Sequence, residues 1–155
     1  RELAGGLGDA AIAVERIRPA FEEKGVALET SGDGPVVVEH DFDLMVRVAW
    51  NLLDNALEHT PPGGRVRLTL RREGPWATME VSDSGAGVPP EYRERVFERF
   101  FRADEARGPR PGGRQGTGLG LSIVRALAEA HSGVAEVSDG ELGGARFTVR
   151  IPRAG

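Results

Sequence analysis

The chain has 155 residues, the length of one ordinary domain, and its 20 basic and 24 acidic side chains leave a formal net charge of −4. With no cysteine, disulfides, cysteine-ligated zinc, iron–sulfur clusters and thiol catalysis are excluded. The weakly acidic balance argues against general nucleic-acid or anionic-membrane binding, and no apolar run approaches the roughly 18 residues of a membrane span.

In chain order, residues 9–24 read as a helix, with Asp9 as its cap, Ile12, Val14 and Ile17 on an apolar side, and Gly25 as its stop. Residues 26–30 and 35–39 are short strand candidates around a turn at 31–34. A long helix over 41–59 is stopped by Pro61-Pro62-Gly63-Gly64. Val66, Leu68 and Leu70 alternate with Arg65, Arg67, Thr69 and Arg71, the pattern of a half-buried strand, and residues 76–82 form its hairpin partner across Glu73-Gly74-Pro75. Residues 90–100 suggest a short helix. Residues 102–116 lack periodicity and are rich in Gly, Pro and Arg. A helix over 119–130 and strands over 134–137 and 145–151 complete the chain. Hairpins dominate, so the expected fold is an α/β sandwich: a mixed, mostly antiparallel sheet of about five strands on about three helices.

Three segments carry chemistry. On a wheel of about 100° per residue, Asn51, Asn55 and Glu58 share one narrow polar wedge of the 41–59 helix, with Arg47 and Asp54 beside them. Val46, Ala49, Trp50, Leu53, Ala56 and Leu57 take the opposite arc. Two carboxamides one turn apart offer neutral oxygens to a hard cation and amide donors to phosphate, although a plain solvent face has the same look. Asp83-Ser84-Gly85-Ala86-Gly87-Val88 puts a carboxylate at a strand end, followed by glycines that let backbone lie close to a flat ligand. Gly116-Thr117-Gly118-Leu119-Gly120-Leu121 opens a helix and exposes N–H groups where the helix dipole is positive, a natural phosphate cradle. It is neither a dinucleotide fingerprint nor a Walker A loop. Arg99, Arg102, Arg107, Arg110 and Arg114 precede it, the composition of a basic lid. Lys24 is the only lysine, so basic contacts to phosphate come mainly from arginine.

In this order, Asn51-Leu52-Leu53-Asp54-Asn55-Ala56-Leu57-Glu58-His59-Thr60-Pro61, Asp83-x-Gly85-x-Gly87, Val96-Phe97-Glu98-Arg99-Phe100-Phe101-Arg102 and Gly116-Thr117-Gly118-Leu119-Gly120-Leu121-Ser122-Ile123-Val124 closely resemble the N, G1, F and G2 boxes of the ATP-binding catalytic domain of sensor histidine kinases. The superfamily also holds type II topoisomerases, Hsp90 and mismatch-repair ATPases. The resemblance covers roughly residues 9–152. It implies that Asn55 binds the Mg²⁺ bridging the triphosphate, with Asn51 nearby. It implies that Asp83 accepts the adenine amino hydrogen, that Gly85, Gly87 and Val88 line the base, and that His59 lies near the phosphates. Arg102 and Arg107 match lid arginines, and Gly116, Thr117, Gly118, Leu119 and Gly120 match the phosphate cradle. Phe97, Phe100 and Phe101 would anchor the lid, at about 102–116. Asn51, Asn55 and Arg102 are the residues expected to serve catalysis.

Two positions depart from the family pattern. Glu58 stands where Lys or Arg is common, and an anion facing the phosphates is unfavourable. Ala145, in Gly143-Gly144-Ala145-Arg146-Phe147, stands where Thr is usual. The water-splitting relatives carry Glu at the position of Asn51; a carboxamide is a poor base, so free ATP hydrolysis is expected to be slow. None of His40, His59 and His131 has the setting of a phosphoacceptor. The chain lacks an initiator Met, and a fragment is expected: residues 1–8 would end a linker from a helical dimerisation and phosphoacceptor domain, and residues 9–155 form the catalytic domain. The resemblance further implies ATP and Mg²⁺ as cofactors, a response regulator as partner, and a cytoplasmic, monomeric domain of a membrane-anchored, homodimeric parent. The alternatives are an anti-sigma-type protein-serine kinase, disfavoured by the F box, a module whose nucleotide site has decayed, and a plain ATPase.

Overall fold

The structure, a computed structural model, describes residues 10–32, 43–99, 101 and 120–152. Three helices, α1 (Ala10–Lys24), α2 (Asp43–His59) and α3 (Gly120–Ala130), lie on a five-stranded sheet. The strands are β1 (Ala27–Gly32), β2 (Arg65–Glu73), β3 (Trp76–Asp83), β4 (Val134–Asp139) and β5 (Ala145–Pro152), in the spatial order β1-β2-β3-β5-β4. Only β1 and β2 are parallel; the other three pairings are antiparallel. This is the mixed sandwich that the hairpin-rich pattern predicts.

The core follows from the two periodicities. Ala10, Ala13, Val14, Ile17 and Phe21 recur at helical spacing on α1 and are buried. Alternate residues of the central strands point the same way: Val66, Leu68 and Leu70 on β2, Met79 and Val81 on β3, and Phe147, Val149 and Ile151 on β5. Against them α2 sets Leu52, Leu53, Ala56 and Leu57, while α1 and α3 flank α2. The outward row of the sheet is ionic. Arg67 pairs with Glu29 (3.2 Å) and Glu141 (3.1 Å), Arg71 with Glu80 (2.7 Å), and Arg150 with Glu73 (3.6 Å) and Glu136.

Two apolar side chains depart from the sequence pattern. Ile12 on α1 and Trp50 on α2 are exposed: Ile12 falls on the face of α1 opposite its buried stripe, and Trp50 falls just outside the stripe of α2. The short helix expected over 90–100 resolves into two 3-10 turns, Pro90–Tyr92 and Arg95–Phe97. Pro89 and Pro90 start the first turn, and single turns this short do not nucleate an α-helix. The strand expected at 35–39, the cap Asp9, His40, Phe100 and the basic segment 102–116 lie outside the described residues.

The site is positioned by how α1 and α2 end. The N–H groups of Gly25 (2.9 Å) and Val26 (3.0 Å) both return to the Phe21 carbonyl, and Gly25 has φ +82°, a left-handed helix stop. The Gly25 carbonyl then accepts from Gly63 N–H (2.7 Å), which docks the end of α1 on the loop that leaves α2.

Candidate functional site

Asp83 occupies the last core-facing position of β3. The inward phase of that strand runs Ala77, Met79, Val81 and then Asp83, so a carboxylate stands where the pattern calls for an apolar side chain. Its cross-strand neighbour is Val66, and it is only 2% exposed. A buried charge needs partners. Oδ1 accepts from the N–H of Gly85 (2.9 Å) and of Ala145 (3.3 Å), so Oδ2 is the oxygen available to a donor from a ligand. Burial pushes the carboxyl above the ordinary carboxylate range, against the pull of those two backbone donors and of His59 nearby.

Glycine is required around this carboxylate by close approach. A Cβ on Gly85 would overlap the carbonyl oxygen of His59 at the end of α2. A Cβ on Gly144 would overlap Asp83 Oδ1 and come within 2.7 Å of the Gly85 nitrogen. The Gly144 N–H also donates to the Asp83 carbonyl (3.0 Å). The turn after β3, the end of α2 and the β4–β5 loop therefore meet at one point. Gly87 and half-buried Val88 follow in the same turn; the Val88 carbonyl faces the Arg93 Nε at 3.4 Å, and Arg93 is held by Asp139 at 2.7 Å.

The polar wedge of α2 lies beside this point. Asn51, Asp54, Asn55 and Glu58 are half-buried rather than a plain solvent face. Asn51 Nδ2 donates to the Arg47 carbonyl (2.9 Å), which turns Oδ1 towards the first residue of α3, 3.3 Å from where a Cβ on Gly120 would stand. His59 Nδ1 lies 2.9 Å from the Asn55 carbonyl. A carbonyl only accepts, so Nδ1 carries the hydrogen and Nε2 is the ring atom open to other partners.

Of the residues singled out from the sequence, Asn51, Asn55, His59, Asp83, Gly85, Gly87, Val88 and Gly120 surround the contacts just described. Arg102, Arg107, Gly116, Thr117, Gly118 and Leu119 lie outside the described residues. Phe97 is buried edge-on against Phe147, with ring centroids 6.0 Å apart, and the Arg125 guanidinium of α3 sits over the Phe97 ring, 5.4 Å from its centroid. The F segment is thus tied to the helix that begins at Gly120. Sequence reasoning did not assign a site role to Gly144, whose contact with Asp83 spans the fold, or to Lys24, whose isolation as the only lysine was a signal.

Among the described residues no cluster of three or more His, Asp or Glu side chains could hold a metal. Mg²⁺ commonly takes one or two protein oxygens and completes its shell with phosphate and water. The carboxamide of Asn55 is a neutral oxygen donor that suits that mode.

The fold and these contacts define an ATPase-type domain of the class that sensor histidine kinases carry. Residues 40–155 match the model of the histidine kinase-, DNA gyrase B-, and HSP90-like ATPase family, and the chain belongs to that family. It is 40% identical over 132 residues to the sensor histidine kinase TmoS of Ectopseudomonas mendocina, covering 84% of this chain and 13% of that protein. It is 37% identical over 140 residues to the sensor-like histidine kinase SenX3 of Mycobacterium tuberculosis, covering 90% and 33%. The chain therefore spans a third or less of these curated relatives. Among solved structures, the mycobacterial sensor histidine kinase MprB superposes with a TM-score of 0.80 at 30% identity over 96% of this chain and 95% of that one. Full-length ShkA in complex with AMPPNP gives the same TM-score and identity over 99% of this chain and 32% of that one.

Proposed function

We propose that this chain binds Mg·ATP and donates its γ-phosphoryl group to a histidine on a helical domain outside the chain, from which an aspartate of a response regulator receives it. The observations that carry the reading are two contacts along α2: the Asp83 turn is seated on the helix end at the His59 carbonyl, and Asn51, two turns earlier, faces the first residue of α3. Oδ2 of Asp83 would accept the exocyclic amino hydrogen of adenine, and Gly85, Gly87 and Val88 would lie along the base. The carboxamide of Asn55 would hold Mg²⁺, with Asn51 beside it. The ion would supply positive charge to offset that of the phosphates. His59 Nε2, Gly120 at the start of α3 and, from the segment outside the described residues, Arg102, Arg107 and the glycines at 116 and 118 would contact phosphate.

A carboxamide at position 51 cannot serve as a general base towards water, which supports transfer to a protein acceptor over free hydrolysis. In that transfer the bond between the γ-phosphorus and the β,γ-bridging oxygen breaks, ADP leaves, and a phosphorus–nitrogen bond forms on the acceptor imidazole. We place the domain on the cytoplasmic side of a membrane-anchored, dimeric parent. Among the described residues no helix is long and apolar enough to cross a membrane.

The test is transfer of label from [γ-³²P]ATP with Mg²⁺, using the chain alone and with the parent's helical domain. The expected result is acid-labile, base-stable label on the helical domain, with slow phosphate release from the chain alone. Rapid phosphate release without an acceptor, or base-labile label on serine, would overturn the reading.

A further inference from the structure

The last turn of a helix leaves backbone carbonyls without intrahelical partners. In α2 most of them are taken by side chains. The Ala56 carbonyl accepts from the Thr60 hydroxyl (2.7 Å). The carbonyls of Leu57 (2.6 Å) and Glu58 (3.3 Å) both accept from the Lys24 ammonium, which arrives from the end of α1. The next carbonyl, that of His59, is the one against which Gly85 packs. Lys24 is thus a cap in trans on the helix that presents Asn51, Asn55 and His59, and it acts one peptide away from the contact that seats the Asp83 turn.

The chemistry suits lysine. An ammonium is a compact point charge with three tetrahedral donors, able to bridge two consecutive carbonyls; a guanidinium presents a flat fork. The other basic positions of this chain all carry arginine. A cation at a helix C-terminus also interacts favourably with the helix dipole. The base of α1 reinforces the geometry, since Gly63 N–H binds the Gly25 carbonyl (2.7 Å) and Ala27 N–H binds the Gly64 carbonyl (3.0 Å).

We infer that Lys24 is a positioning residue for the nucleotide site: it holds the final turn of α2, and with it Asn55, His59 and the seat of Gly85, in register with Asp83. The inference rests on the nucleotide reading of the site for its effect on affinity, but not for its effect on the helix end.

The experiment compares wild type, Lys24→Met and Lys24→Arg at a temperature where all three are folded. One readout is calorimetric affinity for AMPPNP with Mg²⁺; the other is NMR of the ligand-free chain, with amide exchange and shifts followed residue by residue. Lys24→Met is expected to weaken affinity about five- to tenfold, the span that loss of a cation from a partly buried helix terminus covers. It is also expected to speed exchange at residues 57–60 and to shift the Gly85 amide, while α3 and the central strands stay as in wild type. Lys24→Arg, which keeps the cation at the helix end but not the compact tetrahedral donors, is expected to recover only part of the affinity. If wild type binds nucleotide and Lys24→Met binds within about twofold of it, the inference is wrong. If wild type does not bind, the nucleotide reading fails, and the NMR arm alone decides Lys24. Unchanged residues 57–60 and Gly85, or exchange that speeds uniformly across the domain, would overturn the positioning role.

Discussion

Substituting alanine for Gly85 tests the point where α2 meets the turn after β3. Gly85 does not have a positive φ, so the cost is steric and not conformational. The added methyl would overlap the His59 carbonyl oxygen, stand 3.0 Å from its carbon and lie 3.2 Å from Asp83 Oδ1. The obstructing group is backbone at the end of a capped helix, so the turn must give way, by about 1 Å to restore ordinary van der Waals separation. Overpacking of this kind costs about 1–3 kcal/mol. For a chain of this size that corresponds to a fall in Tm of about 2–12 °C. A displacement of about 1 Å in a positioned binding group can cost about 100-fold, so nucleotide affinity is expected to fall far more than stability alone requires. Gly74→Ala is the control. Gly74 sits in the β2–β3 hairpin at the other end of these strands, with φ +57° and nothing within 4 Å of an added Cβ. Its substitution costs about 1–2 kcal/mol through conformation alone and leaves affinity intact. Differential scanning calorimetry and analogue titration on both variants check this. A Gly85→Ala chain that melts with wild type and binds with wild-type affinity would refute the reasoning.

Asp83→Asn separates stability from binding. Because burial raises the Asp83 carboxyl, the folded chain holds that proton more tightly than the unfolded chain, so stability falls as pH rises from the ordinary value of 3.8 through the raised one. The variant is expected to melt higher than wild type at neutral pH, to lose that gain at and below 3.8, and to bind nucleotide poorly; melts across pH measure it. Glu73 has the opposite sign. The Thr78 hydroxyl, then Arg71 and Arg150, hold its carboxyl below the ordinary 4.5 against partial desolvation. Its contribution is present above 4.5 and lost as pH falls through the depressed value, so Glu73→Gln is expected to melt lower than wild type at neutral pH and level with it in strong acid. The group is partly exposed, and the difference is expected to stay below about 1 kcal/mol. Glu58→Arg is expected to tighten ATP-analogue binding severalfold by replacing a like charge near the phosphates; unchanged or weaker binding by titration counts against that orientation of the α2 wedge.

Much of this architecture can be read from local pattern. The alternation of Val66, Leu68 and Leu70 with arginines, and the apolar arc of α2, each specify a buried face from neighbouring residues alone. Pattern failed where a side chain sat at the edge of an arc. Trp50 is apolar by type, but its helical angle places it next to Asp54 and at the surface. The 90–100 segment failed because its apolar residues pack onto distant partners, Phe97 on Phe147, without a continuous helix to carry them. The site divides in the same way. Asp83 and the glycines near it stand in one short string, and the odd phase of Asp83 on β3 was visible in principle. The contacts that explain those glycines, His59 against Gly85 and Gly144 against Asp83, join residues far apart in the chain, as does the reach of Lys24 to α2.

The most direct test of the central claim is calorimetric titration of the chain with a non-hydrolysable ATP analogue, with and without Mg²⁺, alongside Asn55→Ala and Asp83→Ala. Wild type is expected to bind, more strongly with Mg²⁺, while Asn55→Ala no longer responds to Mg²⁺ and Asp83→Ala binds neither way. Wild-type binding that is indifferent to both substitutions would contradict it.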